Sequence, residues 1–395
     1  MSAGQTISVA DVLRTRTIDD LNVAADDYFR HVNKNALFQK PFNDPGESAE
    51  IILTFMNVMK GLNLSPGATV LDFGAGSCWS SMILAGFGYR VIASDVSRVA
   101  LDLGAELMRR RPVFVDHPPI TFLHFDGHRL DIPDGSVDAI CCLSAFHHVP
   151  NQQTILAEMA RVLRPWGRAG FSEPGPAHSI TPQSQEEMQK YCVLENDIIL
   201  EDIWEHSRAV GFTNLMVSLF YPEPVYMPLR EFNSFVAGQP SAAYEHNMRL
   251  LMRNRRLYVM EKGAEGVTTS EDREGLDARL DVGAAELRCT PGEELRIRVV
   301  ATNTGSALWR PSSCQAGPVR LGAAWVGEDG TLDYLPRVML PSPETYGVLP
   351  AQSVEATLTL AAPAEPGRRR LRLQLVSEMV AWFGTATDLM LDVRA

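Results

Sequence analysis

Residues 70–77, Val-Leu-Asp-Phe-Gly-Ala-Gly-Ser, run an apolar stretch through an acidic residue, Asp72, into a glycine turn. Glycines at such a turn let a ligand come close to the backbone N–H groups, and a helix start beyond it favours an anionic or nucleotide-like group. The next apolar run ends at Asp95, whose carboxylate is placed to accept from both hydroxyls of a ribose. The pair predicts a nucleotide-like ligand, although a glycine turn alone can be merely structural. A dinucleotide fingerprint would read Gly-x-Gly-x-x-Gly, but from Gly74 the chain reads Gly-Ala-Gly-Ser-Cys-Trp, with bulky Trp79 in the last position. That speaks against NAD and FAD.

The Asp-x-Gly-x-Gly form resembles the first motif of class I S-adenosylmethionine-dependent methyltransferases. Further matches follow in that family's order: Phe-Asp-Gly-His at 125–128, Ile-Pro-Asp-Gly-Ser-Val-Asp-Ala-Ile at 132–140, Ala-Phe-His-His-Val-Pro-Asn at 145–151 and Glu-Met-Ala-Arg-Val-Leu-Arg-Pro-Trp-Gly-Arg at 158–168. The resemblance covers about residues 65–220. It implies S-adenosyl-L-methionine as cofactor, held by Asp72, Gly74, Ala75, Gly76, Asp95, Val96, Asp126, Gly127 and Leu143, with Asp126 reaching the adenine amino group. The family commonly has Pro-Gly-Gly in the turn where this chain has Pro165-Trp166-Gly167, a variant of the turn that leaves cofactor binding undisturbed.

Methyl transfer is an in-line displacement, so the protein's task is to align a nucleophile and exclude water. A hydroxyl acceptor also gains from a base, and His147 or His148 lies where that base would be. Either histidine could instead hydrogen-bond its own loop. Glu173 is expected to orient a histidine or bind substrate hydroxyls, and His178 and Tyr28 to contact the acceptor; a turn contact for the first two and helix packing for Tyr28 are the plainer alternatives. His147, His148, Glu173 and His178 could supply metal ligands, but no His-x-x-x-His or Cys-x-x-Cys spacing supports one, and no metal is expected.

These residues need a scaffold that brings strand ends together. Short apolar runs at 69–73, 90–95, 120–125, 137–143 and 168–173 predict five strands, with helices at 79–87, 98–110, 152–163 and 184–210 between them. Strands near 214–220 and 256–262 would complete an α/β, Rossmann-like, mostly parallel seven-stranded sheet. Residues 1–64 are expected as a helical flank or lid, 65–263 as the methyltransferase domain with a helical insert at about 223–250, and 264–280 as a polar linker. Period-two runs at 295–305, 319–326, 354–360 and 370–376 predict an all-β sandwich over 281–395. Segments 302–309, 349–354 and 375–383 resemble immunoglobulin-like modules of bacterial polysaccharide-modifying enzymes, which implies glycan contacts through Trp309, Trp325, Trp382 or Phe383 or, more plainly, core packing.

With 395 residues, 45% hydrophobic and 21% charged, the chain is long enough for two or three ordinary domains. A net charge of −12 argues against broad phosphate neutralisation, so no nucleic-acid partner is expected. The six cysteines have no disulfide or zinc spacing, and no apolar stretch suits a signal peptide or a membrane span, so a cytoplasmic location is expected. The whole reading is a methyltransferase acting on a sugar hydroxyl in surface polysaccharide or O-antigen assembly. The alternatives are a small secondary metabolite or lipid acceptor with a dimerising sandwich, and a non-catalytic glycan-binding scaffold; oligomeric state stays open.

Overall fold

Strands covered on both faces read as continuous apolar runs, because neither side of the pleat meets water. Val70, Leu71 and Phe73, and residues 137–142, are buried in this way. The computed structural model describes residues 6–110, 119–219, 226–263, 267–341 and 347–394, and the chain divides into two compact units.

The first unit begins with helices Val9–Thr15 (α1), Ile18–His31 (α2), Lys34–Gln39 (α3) and Pro45–Leu62 (α4). Then come Thr69–Phe73 (β1), Trp79–Gly86 (α5), Arg90–Asp95 (β2), Arg98–Arg110 (α6), Ile120–His124 (β3), Val137–Leu143 (β4), Gln152–Val162 (α7) and Leu163–Pro174 (β5). Pro182–Tyr191 (α8), Leu200–Ala209 (α9), Phe212–Val217 (β6), Leu229–Val236 (α10), Ala242–Asn254 (α11) and Arg255–Lys262 (β7) complete it. The seven strands form one sheet in the order β3-β2-β1-β4-β5-β7-β6, parallel through β5, with β7 antiparallel to both its neighbours. The chain reverses direction across the sheet between β1 and β4, and the crevice at the carboxyl ends of such strands is where open α/β sheets hold ligands.

The single helix expected over 184–210 is two helices, α8 and α9. Cys192 ends α8 with φ +61°, a left-handed conformation reached without the glycine that normally announces it. Residues 192–199 then run without regular structure beside the β4–α7 turn, where Asn196 N donates to the His147 carbonyl and the Asn196 amide to the Val149 carbonyl. The expected insert contains α10 and α11, and its residues 223–225 lie outside the described ones. In the turn before β5, Trp166 takes φ +64°, where the related family commonly has glycine, and its ring packs against the Cβ-less face of Gly263.

The second unit contains Ala278–Asp281 (β8), Glu286–Cys289 (β9), Glu294–Asn303 (β10), Val319–Val326 (β11), Leu332–Tyr334 (β12), Val338–Met339 (β13), Ser353–Ala361 (β14), Gly367–Ser377 (β15) and Ala381–Val393 (β16). A sheet β14-β10-β8 and a sheet β12-β11-β15-β16-β9, with β13 beside β11, share one apolar core, including Ile297, Val299, Leu373 and Leu391. The unit also takes up Asn63–Ser65. The expected linker through 280 is corrected: Thr269 and Ser270 are buried in this unit, and β8 starts at Ala278. Ser270 donates its backbone N–H to the Leu308 carbonyl and its hydroxyl to the Gly317 carbonyl, so these polar residues are satisfied inside; residues 264–266 lie outside the described ones.

The tryptophans bear on the glycan expectation. Trp309 and Phe383 are buried, with ring centroids 5.6 Å apart edge to face, and belong to the core. Trp382 stacks on Tyr334 at 5.2 Å, and the Arg337 guanidinium lies 5.1 Å from its ring centroid, so its apolar faces have protein neighbours. Trp325 packs half-buried against the same core.

Candidate active site

The glycine turn after β1 is built for close approach. Gly74 and Gly76 have φ +68° and +53°, and a Cβ on Gly74 would stand 2.3 Å from the Ala145 Cβ. The Gly76 N–H and the Ser97 N–H each donate to one oxygen of Asp95, both at 2.8 Å, which ties the turn to the end of β2. Burial pushes the Asp95 carboxyl up, against the pull of those two N–H groups. Gly74, Ala75, Gly76, Asp95, Val96, Gly127 and Leu143 all line one cavity of about 260 Å³. A cavity edged by side-chain-free backbone, with a carboxylate at the second strand end, fits the ribose and amino-acid portions of S-adenosylmethionine.

Two expected cofactor residues have other work. Asp72 does not line the cavity; it is fully buried, and its Oδ2 accepts from the Ser80 and Ser81 hydroxyls at 2.7 and 2.5 Å, fixing the start of α5. Burial raises its carboxyl to about 6, partly offset by the serine hydrogen bonds. A group whose folded value lies above its ordinary 3.8 stabilises the fold at low pH, and that contribution disappears as pH rises through about 6. Asp72→Asn should therefore gain on the wild type by on the order of 2 kcal/mol between pH 4 and pH 7, read from urea unfolding at each pH. Asp126 also lies outside the lining: its exposed Oδ1 accepts from the backbone of His128 and Arg129 at 2.8 and 3.1 Å, which holds the carboxyl below its usual range. Phe125 and Gly127 face the cavity in its place, because a side chain that closes its own turn points along the backbone and away from the ligand.

Helix α2 covers the opening. Ile18, Leu21, Asn22, Ala25, Tyr28 and Phe29 line the cavity, Asn22 donates to the Asp126 carbonyl at 2.8 Å, and Asp26 accepts from the Ser97 hydroxyl at 2.7 Å. Tyr28 meets Phe29 and Tyr191 edge to face at 5.2 and 5.1 Å, and burial pushes its phenol up to about 12, so it faces the cavity as a neutral donor.

The histidines divide by exposure: the His147 side chain is 7% exposed and His148 is 42% exposed. His147 does not line the cavity. Its Nδ1 lies 2.6 Å from Glu173, and a carboxylate only accepts, so Nδ1 carries the proton. Burial, then the neighbouring His148, lower the His147 value, so it sits neutral against the Glu173 carboxylate. Glu173, wholly buried, also accepts from the backbone N–H groups of Ala145, Phe146 and His147 at 3.0, 2.9 and 3.2 Å. Burial alone would raise Glu173, but His147 and those N–H groups outweigh it and the net direction is down. Glu173 thus accepts from the β4–α7 turn and, like His147, is buried off the cavity, where the catalytic expectation had placed both at its wall.

His148 does line the cavity. Its Nδ1 is 2.6 Å from the Leu194 carbonyl, which only accepts, so the proton is on Nδ1 and Nε2 keeps its lone pair for an acceptor. His178 does not line the cavity; its Nε2 meets Glu195 at 2.7 Å. Glu195, absent from the sequence-based candidates, is buried among the three histidines, with Oε2 3.8 Å from His147 Nε2 and Oε1 3.4 Å from His148 Nδ1. His147, His178 and Glu195 bring one nitrogen or oxygen each within 4.8 Å of one another, a set of types that could hold a metal ion. The available signal for Glu195 was an acid inside the apolar stretch Val193-Leu194-Glu195, obscured by the expected continuous helix.

Residues 71–171 match the family model described as a methyltransferase domain. A curated relative, the demethylmenaquinone methyltransferase of Beutenbergia cavernae, is 38% identical over 119 residues, 29% of this chain and 46% of that protein. The 2-methyl-6-phytyl-1,4-hydroquinone methyltransferase of Synechocystis is 32% identical over 137 residues, 32% of this chain and 40% of that protein. The chain thus spans about half the length of the curated relatives it matches. Among solved structures, phosphoethanolamine N-methyltransferase 2 of Haemonchus contortus with S-adenosyl-L-methionine aligns over 61% of this chain and 60% of that one, at 16% identity and a TM-score of 0.44. The first unit therefore carries a methyltransferase domain of the S-adenosylmethionine-dependent class. No described helix is long and apolar enough to cross a membrane.

Proposed function

We propose that the first unit transfers a methyl group from S-adenosylmethionine to a hydroxyl of a small, largely apolar acceptor, with His148 as the base. The observation that carries this reading is the His148 ring, with Nδ1 held by the Leu194 carbonyl and the ring itself at the wall of the glycine-edged cavity. The bound cofactor supplies an electrophilic methyl on a sulfonium. The Gly74–Gly76 backbone and Asp95 hold it, α2 with Tyr28 and Phe29 excludes water, and His148 Nε2 takes the hydroxyl proton as the oxygen–methyl bond forms. The acceptor class follows from the lining, where apolar side chains, among them Leu21, Phe29, Trp79, Val193 and Leu194, outnumber the polar ones.

The sugar hydroxyl of a surface polysaccharide is the competing acceptor, with the second unit as an immunoglobulin-like module. The core positions of Trp309 and Phe383 and the covered faces of Trp382 give that version less support. Purified protein incubated with methyl-labelled S-adenosylmethionine and fractionated host extract decides: label in small non-sugar metabolites or lipids supports the reading, label in nucleotide sugars or glycans replaces the acceptor, and no transfer to any fraction refutes it. Asp95→Ala should weaken cofactor binding by about tenfold or more in calorimetry, the order of one lost charged hydrogen bond.

A further inference from the structure

We infer that Glu195 is a positioning residue for His148: its buried carboxylate lies behind the proton-bearing nitrogen of the base and stabilises the charge that the base acquires. The inference rests on the reading of His148 as the base.

The geometry has the order of a nucleophile–histidine–acid relay. When His148 Nε2 takes the acceptor's proton, the oxygen–methyl bond forms, the sulfur–methyl bond breaks with its electron pair going to sulfur, and the imidazole becomes an imidazolium. Its Nδ1–H then faces the Leu194 carbonyl at 2.6 Å and Glu195 Oε1 at 3.4 Å. The carbonyl fixes the tautomer; the buried carboxylate supplies the opposing charge. Glu195 is suited to this because it is 3% exposed at the side chain and Oε1 has no hydrogen-bond partner, while Oε2 is committed to His178 at 2.7 Å. A buried carboxylate oxygen left without a donor is costly, and a positive charge on the His148 ring, whose Nδ1 lies 3.4 Å away, offsets that cost. Burial would raise the Glu195 carboxyl, but the His178 hydrogen bond leads the opposing influence of the surrounding histidines, and the net direction is down.

Other groups around His148 do not take this place. The His147 ring is 3.9 Å away centroid to centroid but is neutral and spends its Nδ1–H on Glu173. His178 is 5.0 Å from His147 and donates to Glu195. Asp95 feels the charge of His148 from the glycine-turn side, but its two oxygens already accept from Gly76 and Ser97.

The test is the pH profile of kcat for wild type, Glu195→Asp and Glu195→Gln, alongside cofactor affinity and His148→Gln as reference. Removing the carboxylate makes the imidazolium less favourable, so His148 loses its extra proton at lower pH: the acid limb should move down in the order wild type, Asp, Gln. kcat on the plateau should fall by about tenfold in Glu195→Gln, the cost of a weaker base, with cofactor affinity unchanged. If the Gln variant does not fold, the smaller displacement expected for Asp, whose carboxylate retreats by one methylene, carries the same test. An unmoved limb in folded variants while His148→Gln is slow overturns the role of Glu195 alone, whereas full activity in His148→Gln overturns the base on which it rests. Stoichiometric zinc binding by the wild type, lost in Glu195→Gln and needed for turnover, would also overturn it in favour of a metal held by His147, His178 and Glu195.

Discussion

His148→Gln is expected to lower kcat by about 10²- to 10⁴-fold, the span usually lost with a positioned general base, while the affinity for S-adenosylmethionine changes little. Glutamine can keep the bond to the Leu194 carbonyl through its amide N–H₂, so the turn retains its shape and what disappears is the lone pair at Nε2. The loss should be uneven over acceptors: an acceptor that is already ionised at assay pH needs no base and should retain most of its rate. Single-turnover rates with two acceptors of different acidity separate these cases. A uniform loss would mean that His148 acts by holding the acceptor, and no loss would return the histidine to a loop contact. His147→Gln gives the contrast, since that ring is buried and off the cavity and its effect should appear in stability before rate.

The parts of this site that could be read from sequence were those in which local composition and global position agree. The apolar runs of β1, β2 and β4 are buried on both faces, so they show no competing periodicity, and their bounds follow the sequence directly. Gly74, Gly76 and Asp95 were legible because a strand end, a glycine turn and an acid at the next strand end each need a particular residue type. What was not legible depended on where a side chain points. Asp72 and Asp126 sit at family positions, yet one carboxylate turns into the core to meet Ser80 and Ser81 and the other folds back on its own turn. Glu195 was hidden because Cys192 ends α8 in a left-handed conformation with no glycine to mark it. In the second unit β9 has only four residues and β12 three, too short for period-two alternation to stand out from a turn.

Glu173→Ala should destabilise the first unit by about 3–5 kcal/mol, the order of several buried donors left together without their acceptor. Five donors lose their acceptor together: the Cys142 thiol at the end of β4 and, in the turn, the N–H groups of Ala145, Phe146 and His147 and the His147 ring at 2.6 Å. The site is too buried for water to replace the carboxylate freely. Glu173→Gln should cost less, because its carbonyl oxygen still accepts from the backbone, but its amide N–H₂ meets a ring nitrogen that now donates, and His147 must change tautomer. The pH dependence carries the same signature. Glu173 and His147 are both held below their ordinary values, so each contributes stability at neutral pH that is lost on acidification, first as His147 in the unfolded chain gains a proton below about 6.5, then as the folded carboxylate is protonated. Urea unfolding of the first unit at pH 7.5 and pH 5 should thus show the wild type losing stability towards acid, and Glu173→Gln losing at least as much, because His147 then lacks the carboxylate that draws its value up. A cost under about 1 kcal/mol for Glu173→Ala would mean that the turn reorganises to satisfy its own N–H groups. In that case the β4–α7 turn would hold His148 by its Leu194 contact alone, and the activity of Glu173→Ala should survive the substitution.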